Sequence, residues 1–342
     1  MNIKSTEKII MTDTEILLAA LRKDAARIDT TMQEDLESLA PNVDGLLMEV
    51  LTYSLFNGGK RIRPLLVVVA SRLCGRDDDE VYQLARAFEY LHAATLLHDD
   101  VIDNALTRRG MPSVNTRYGL ITAILTGDFL HARSMDIVGQ IGGREALSIF
   151  SAAAAGMVDG EFMQLRNAGL HNLSETDYHD TIMGKTGMLI AAACEIGVLC
   201  AGGRETERNA LRAYGTELGC AFQIIDDLLD YQGEKGKTGK VLGNDLAEGK
   251  MTLPLILALH RANDQDRARL LAILDDEPTR RQAFSEVHDL IVKYEGFSIT
   301  RQRAEKSISR AIKQLEIFSE DVSPKDVKIM QGLAEYILKR EK

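Results

Sequence analysis

Only six prolines interrupt 342 residues, and they fall at Pro41, Pro64, Pro112, Pro254, Pro278 and Pro324. Proline removes an amide donor and clashes with the preceding turn, so it breaks helix interiors. A chain this poor in it is free to build long helices. Leu17, Leu18, Leu21 and Ile28 recur near helical spacing after Thr12–Asp13, which reads as a capped start. Pro64 and Pro254 read as first-turn prolines with helix running on behind them. Alternating strand patterns are scarce. The best strand candidate, Val67–Val69, sits inside the longer apolar run Pro64–Leu73 and reads as buried helix. Gly142–Gly143, Gly202–Gly203 and the 233–243 stretch punctuate the middle, with no low-complexity linker. The expectation is one all-α domain over residues 1–342, about a dozen helices, with residues 1–12 disordered.

One acidic cluster occurs twice. Leu97-His98-Asp99-Asp100-Val101-Ile102-Asp103 is echoed by Ile225-Asp226-Asp227-Leu228-Leu229-Asp230, each a DDxxD at the end of an apolar helical stretch. Asp99 and Asp103 are i and i+4 on one helix face, as are Asp226 and Asp230. Unpaired carboxylates next to a core are costly without a cation. Magnesium prefers oxygen ligands and usually takes one or two carboxylates together with substrate phosphates. A single DDxxD reads equally well as a solvated acidic face, and Asp77-Asp78-Asp79-Glu80 reads as a loop and helix cap. Two copies in matched apolar settings point instead to Mg²⁺ held around a diphosphate.

The cations fit the same chemistry. Gly58-Gly59-Lys60-Arg61-Ile62-Arg63-Pro64 sets flexible glycines before three cations at a helix entrance, an arrangement suited to phosphate. Arg108 and Arg109 follow the first acidic cluster, Lys185 and Thr186 follow Gly184, and Lys240 and Lys250 flank Gly243-Asn244-Asp245. The net charge of −10 excludes sequence-independent nucleic-acid binding but not local anion sites. Cys74, Cys194, Cys200 and Cys220 lack zinc-ligand spacing and suit a reducing compartment. No stretch has the roughly 18 uninterrupted apolar residues of a membrane span. The start, with Lys4, Glu7 and Lys8, is too polar for a signal peptide, so a cytoplasmic location is expected.

Taken together these residues resemble the trans-prenyl diphosphate synthases, or polyprenyl synthetases, with octaprenyl-type enzymes nearest in motif. The resemblance is strong from about Leu51 to Pro254. It rests on GGKRIRP at 58–64, HAATLLHDDVID at 92–103, RRG at 108–110, GKT at 184–186, FQIIDDLLD at 222–230, Lys240 to Asp245, and EGK at 248–250. It implies an all-α bundle with a central cavity, usually a homodimer. It further implies Mg²⁺ on Asp99, Asp103, Asp226 and Asp230, with Asp100 in support. By the same resemblance Lys60, Arg63, His92 and Arg109 grip isopentenyl diphosphate. Arg108, Lys185, Thr186, Gln223, Lys240 and Lys250 contact the allylic substrate, farnesyl or geranylgeranyl diphosphate. Asp99, Asp100, Asp103, Lys185 and Asp226 form the catalytic set.

The small residues Ala94 and Thr95, preceded by Ala93, lie about a turn before Asp99, where a large aromatic would floor the product path. They predict a product in the hexaprenyl to decaprenyl range, with geranylgeranyl or farnesyl diphosphate as the alternative. Phe129 or Met157 are further candidates to block the path, and the lipophilic product would bring the protein near membranes. A class I terpene cyclase fits the second DDxxD and the intact GGKRIRP poorly. A di-iron bundle would need a second Glu-x-x-His beside Glu89 and His92, and none occurs. A non-catalytic partner subunit is expected to have lost aspartates or cations that this chain keeps. His98 reads equally as a carboxylate orienter or a packing residue, and Arg301–Lys313 as a solvated helix face.

Overall fold

The computed structural model describes residues 13–168, 174–233, 242–318 and 323–340; residues 1–12 and Lys240 lie outside these. In chain order the helices are α1 Asp13–Leu39, α2 Gly45–Leu55, α3 Ile62–Leu73, α4 Asp79–Ile102, α5 Val114–Tyr118, α6 Leu120–Ile137, α7 Gly143–Asn167, α8 Glu175–Ile182 and α9 Met188–Cys200. They continue as α10 Glu205–Gln232, α11 Asn244–Ala247, α12 Leu253–Arg261, α13 Asp264–Leu274, α14 Glu277–Gln282, α15 Phe284–Lys293, α16 Gly296–Gln314 and α17 Pro324–Leu338. Among the described residues the strands are β1 Thr107–Arg108 and β2 Met111–Pro112, a small antiparallel hairpin after α4. The all-α expectation is met.

The run read as helix rather than strand is the innermost element. Leu66, Val67, Val68, Val69 and Ala70 are fully buried in α3, because the helix is covered by α4 on one side and α9 on the other. Pro64 sits in its first turn, where the missing amide costs no hydrogen bond. Asp78 caps α4 by accepting the Val81 amide, which gives that acidic run its place. The central layer continues from α9 to α10 and then to α16, while α1, α6, α7 and α17 cover the flanks.

Glycines set the spacing around the π-helical turn Met183–Gly187 between α8 and α9. A Cβ on Gly160 of α7 would lie 2.4 Å from the Lys185 amide nitrogen, and one on Gly219 of α10 would lie 2.6 Å from Gly187 Cα. The turn is therefore wedged, backbone against backbone, between α7 and α10. π turns of this kind recur at functional sites.

The helical run Glu175–Cys200 is long and apolar enough to cross a membrane by length and composition, although Lys185 and Glu195 interrupt its apolar sequence. In the fold 78% of its apolar window is buried inside the protein, so its apolar surface serves the core.

Candidate active site

Both acidic motifs lie at the C-terminal ends of their helices, α4 and α10. The helix dipole is negative there, so carboxylates are doubly disfavoured without cations. Burial pushes the Asp99 carboxyl up, Lys185 opposes this, and Glu161 and Asp103 add to it. Burial likewise raises Asp103, with Lys250 opposing and Glu248 adding. Neither side chain has an ion-pair or hydrogen-bond partner among the described residues. The facing wall supplies cations already held by acids. Lys185 Nζ lies 2.5 Å from Glu161 Oε2 and 3.3 Å from Gln164 Oε1. Lys250 Nζ lies 2.6 Å from Glu248 and 3.5 Å from Asp245. Burial would lower the Lys250 ammonium, but Asp245 and Glu248 overcome it and raise the group.

The remaining aspartates are divided by task. Asp100 is buried and binds the guanidinium of Arg108, with Nε at 2.9 Å, so it fixes that arginine. Asp226 meets Arg340 Nη2 at 3.3 Å, and the Arg340 guanidinium lies 4.4 Å above the Phe222 ring. Asp230 accepts the Asp245 amide at 3.1 Å and so holds the start of α11. Asp227 is buried among hydrogen bonds: Tyr178 donates its hydroxyl at 2.6 Å and Gln223 its amide at 2.9 Å. The Gln223 carbonyl in turn accepts the Thr186 hydroxyl at 3.1 Å. Thr186 and Gln223 are thus joined to each other and through Asp227 to Tyr178.

The second cationic group forms beside α4. A cavity of about 50 Å³ is lined by Arg61, His92, Ala93, Asp100, Arg108 and Arg109, among others. Burial, then the charges of Arg63, Arg109, Arg108 and Arg61, hold the His92 imidazole well below its ordinary value. Burial also lowers the guanidinium of Arg63, whose Nε is buried and unpartnered, and that of Arg109. Arg109 donates to the Gly58 carbonyl. Three of the four residues expected to grip isopentenyl diphosphate, Arg63, His92 and Arg109, therefore share one electrostatic neighbourhood. Lys60 is exposed and turns instead to the Tyr336 hydroxyl at 2.6 Å. Arg61, between Lys60 and Arg63, has a structural job. It is buried against Glu89 and Asp29, both at 2.7 Å, and the Leu55 carbonyl at 2.8 Å. That pairing also accounts for the Glu89 of the Glu-x-x-His pattern.

Ala94 and Thr95 are not lining residues of this cavity; Ala93, Leu96 and Leu97 are. Ala94 is buried, one turn from His98 on the face toward α6, where His98 fits against Gly127. His98 also reaches the Ile124 carbonyl at 3.3 Å, a packing role. Thr95 is half-buried and bonds the His92 carbonyl at 2.8 Å. Sequence reasoning missed Glu161, Tyr178, Glu248, Tyr336 and Arg340. Each is unremarkable in its own stretch, and only EGK at 248–250 gave a local signal.

Residues 44–291 match the family model described as polyprenyl synthetase. This chain belongs to the polyprenyl synthetase family. It is 35% identical over 297 residues to the octaprenyl diphosphate synthase of Haemophilus influenzae, covering 87% of this chain and 89% of that one. It is 32% identical over 325 residues to a short chain isoprenyl diphosphate synthase of Methanothermobacter thermautotrophicus, covering 94% and 98%. Among solved structures, polyprenyl synthase from Caulobacter crescentus, complexed with calcium and isoprenyl diphosphate, superposes with a TM-score of 0.87 at 33% identity, covering 95% and 97%.

Proposed function

We propose that this polyprenyl synthetase condenses isopentenyl diphosphate head-to-tail with an allylic diphosphate, such as farnesyl or geranylgeranyl diphosphate, to build a long-chain all-trans product. The observation that carries this reading is the electrostatic facing of unpaired Asp99 and Asp103 against Lys185 and Lys250. A separate cluster of His92 and arginines lies about two turns earlier along the same side of α4. The acidic end of the helix suits a metal-borne diphosphate and the His92 level a metal-free one.

Among the described residues no three carboxylate, imidazole or thiol groups converge enough to cage an ion by themselves. The donor set is oxygen-only and paired, which fits a hard divalent cation completed by phosphate and water oxygens. Asp99, Asp103 and Asp226 would hold Mg²⁺, with Asp230 contributing from the α11 side. When bound, the metal supplies Lewis-acid stabilisation of the departing diphosphate. Lys185, Lys250 and Arg108, the last fixed by Asp100, add cationic charge to the leaving group. Thr186 donates its hydrogen to Gln223, leaving its lone pairs available to the positive charge of the ionised allyl group. Arg63, His92 and Arg109 orient isopentenyl diphosphate so that its double bond attacks that carbon. A proton then leaves the adjacent carbon, taken up by the released diphosphate.

A shorter, geranylgeranyl-length product is the second reading, favoured by the likeness to the short chain enzyme. The test is incubation with Mg²⁺, labelled isopentenyl diphosphate and farnesyl diphosphate, with the dephosphorylated products sized by chromatography. A ladder ending in long polyprenols supports the proposal. A stop at geranylgeraniol selects the second reading. No incorporation with any allylic primer refutes both and leaves a partner-subunit role.

We also infer a homodimer. Ile121 and Leu125 of α6, at 71% and 60% exposure, share a face with i, i+4 spacing. Val158, Phe162 and Leu165 of α7 form a second exposed apolar row. A second copy of this chain is the occupant such rows suit.

A further inference from the structure

Away from the diphosphate sites, three soft donors meet where α8, the π turn and α10 touch. Cys220 Sγ of α10 lies 3.5 Å from His179 Nε2 and 3.6 Å from Met183 Sδ. His179 and Met183 are i and i+4, which puts them side by side on one helical face. Cys220 is buried, whereas the His179 side chain is 52% exposed, so the cluster is reachable from solvent through the imidazole. The other ring nitrogen, Nδ1, faces Asp180 Oδ1 at 4.0 Å, leaving Nε2 as the one directed inward.

We propose that Cys220, His179 and Met183 form a binding site for a soft monovalent metal ion, Cu(I). Thiolate and thioether sulfurs select Cu(I), and imidazole accepts it. Metal–sulfur bonds of about 2.3 Å and metal–nitrogen bonds of about 2.05 Å, the lengths such donors make to Zn²⁺, place three trigonal donors roughly 3.8–4.0 Å apart. The two observed separations, 3.5 and 3.6 Å, are about 0.3–0.4 Å shorter, so the side chains need open only by that much. Ligand charge selects the ion further. One thiolate, a neutral imidazole and a thioether sum to −1, which Cu(I) neutralises, whereas a divalent ion would leave uncompensated charge beside a core. The site also explains how a buried thiol can ionise. Burial, then Glu217, pushes the free Cys220 thiol up to about 12, with Arg310 opposing. On binding, the S–H bond breaks, its proton goes to solvent and an S–Cu bond forms, with no change in oxidation state. Met183 opens the same turn that presents Lys185 and Thr186, so ligation would tie that turn to α10.

This proposal stands apart from prenyl transfer and is tested by binding. Purified full-length protein is titrated anaerobically with Cu(I), kept reduced by ascorbate, in competition with the chromophoric chelator bicinchoninate. The expected result is one Cu(I) withdrawn per chain, lost in Cys220→Ser and retained in Cys194→Ser. Met183→Leu and His179→Gln should each weaken binding by more than the roughly 10–100-fold that loss of an outer-shell partner costs. X-ray absorption of the loaded protein should show two sulfurs and one nitrogen around copper. Wild-type competition no better than that of Cys220→Ser overturns the site. So does equal affinity in Met183→Leu and His179→Gln, which would make Cys220 a thiol acting alone. Because His179 is exposed, its variant remains informative should Cys220→Ser not fold.

Discussion

Asp99 shows how one side chain joins fold to chemistry. It is half-buried at a helix C-terminus, raised by burial and by its acidic neighbours, and lacks a counter-ion among the described residues. Such a group costs stability in the metal-free protein and is retained for what it binds. Asp99→Ala should therefore abolish Mg²⁺-dependent turnover while leaving the metal-free melting temperature unchanged or higher. Normal turnover in that variant would sink the assignment. His92 gives a pH signature of opposite sense to a paired histidine. Its folded value is depressed by burial and by arginines, so the unfolded chain binds the proton more readily. Its contribution to stability is complete above the unfolded value of about 6.5 and is lost as pH falls toward the depressed folded value. The loss reaches at most about 1.4 kcal/mol per pH unit. Denaturant titrations across that window should show a shallower acid loss in His92→Gln. Equal slopes would mean that His92 is already charged in the folded state.

Helix spacing decides where Lys185 and Thr186 point. At Gly160 the backbone of the π turn comes so close to α7 that a methyl group would overlap the Lys185 amide. Gly160→Ala should separate the two, destabilise the protein by about 1–3 kcal/mol as overpacking does, and lower kcat through displacement of Lys185. Denaturant midpoints and steady-state kinetics measure both; wild-type values for both would show that the wedge is unimportant. Between α4 and α6 the packing is again close, with His98 filling the space left by Gly127. Ala94 lies one turn below on that face, so Ala94→Phe should shorten the longest polyprenol formed. A folded variant with an unchanged product ladder would place the product path elsewhere. That α3 and α4 are helices was readable from the run of apolar residues and the positions of Pro64 and Asp78. The closeness of α7 to the turn was not, since Gly160 and Gly184 are 24 positions apart and the GKT motif that opens with Gly184 says nothing of Gly160.

At the scale of the molecule, the chain folds back so that its C-terminal helix attends to the site. Tyr336 receives Lys60, and Arg340 just beyond α17 meets Asp226, so the last helix touches both the glycine-rich entrance and the second acidic motif. The exposed rows on α6 and α7 carry the expectation of a dimer. Leu125→Asp should turn it into a monomer by light scattering; an unchanged mass would place the contact elsewhere. The sequence by itself determined what is local and periodic: helices, caps, the carboxylate pairs on one face, and the family motifs that gave the chemistry. These depend on residues within a few turns of one another, where spacing alone fixes direction. Only the tertiary structure decided how those pieces are shared out. It gave Asp100 to Arg108, Arg61 to Glu89, Asp227 to Tyr178, and Lys60 to Tyr336, and it put His179, Met183 and Cys220 together. Such pairings join residues as much as 276 positions apart. Their partners are chosen by packing and desolvation in the closed core, and no local pattern carries that information.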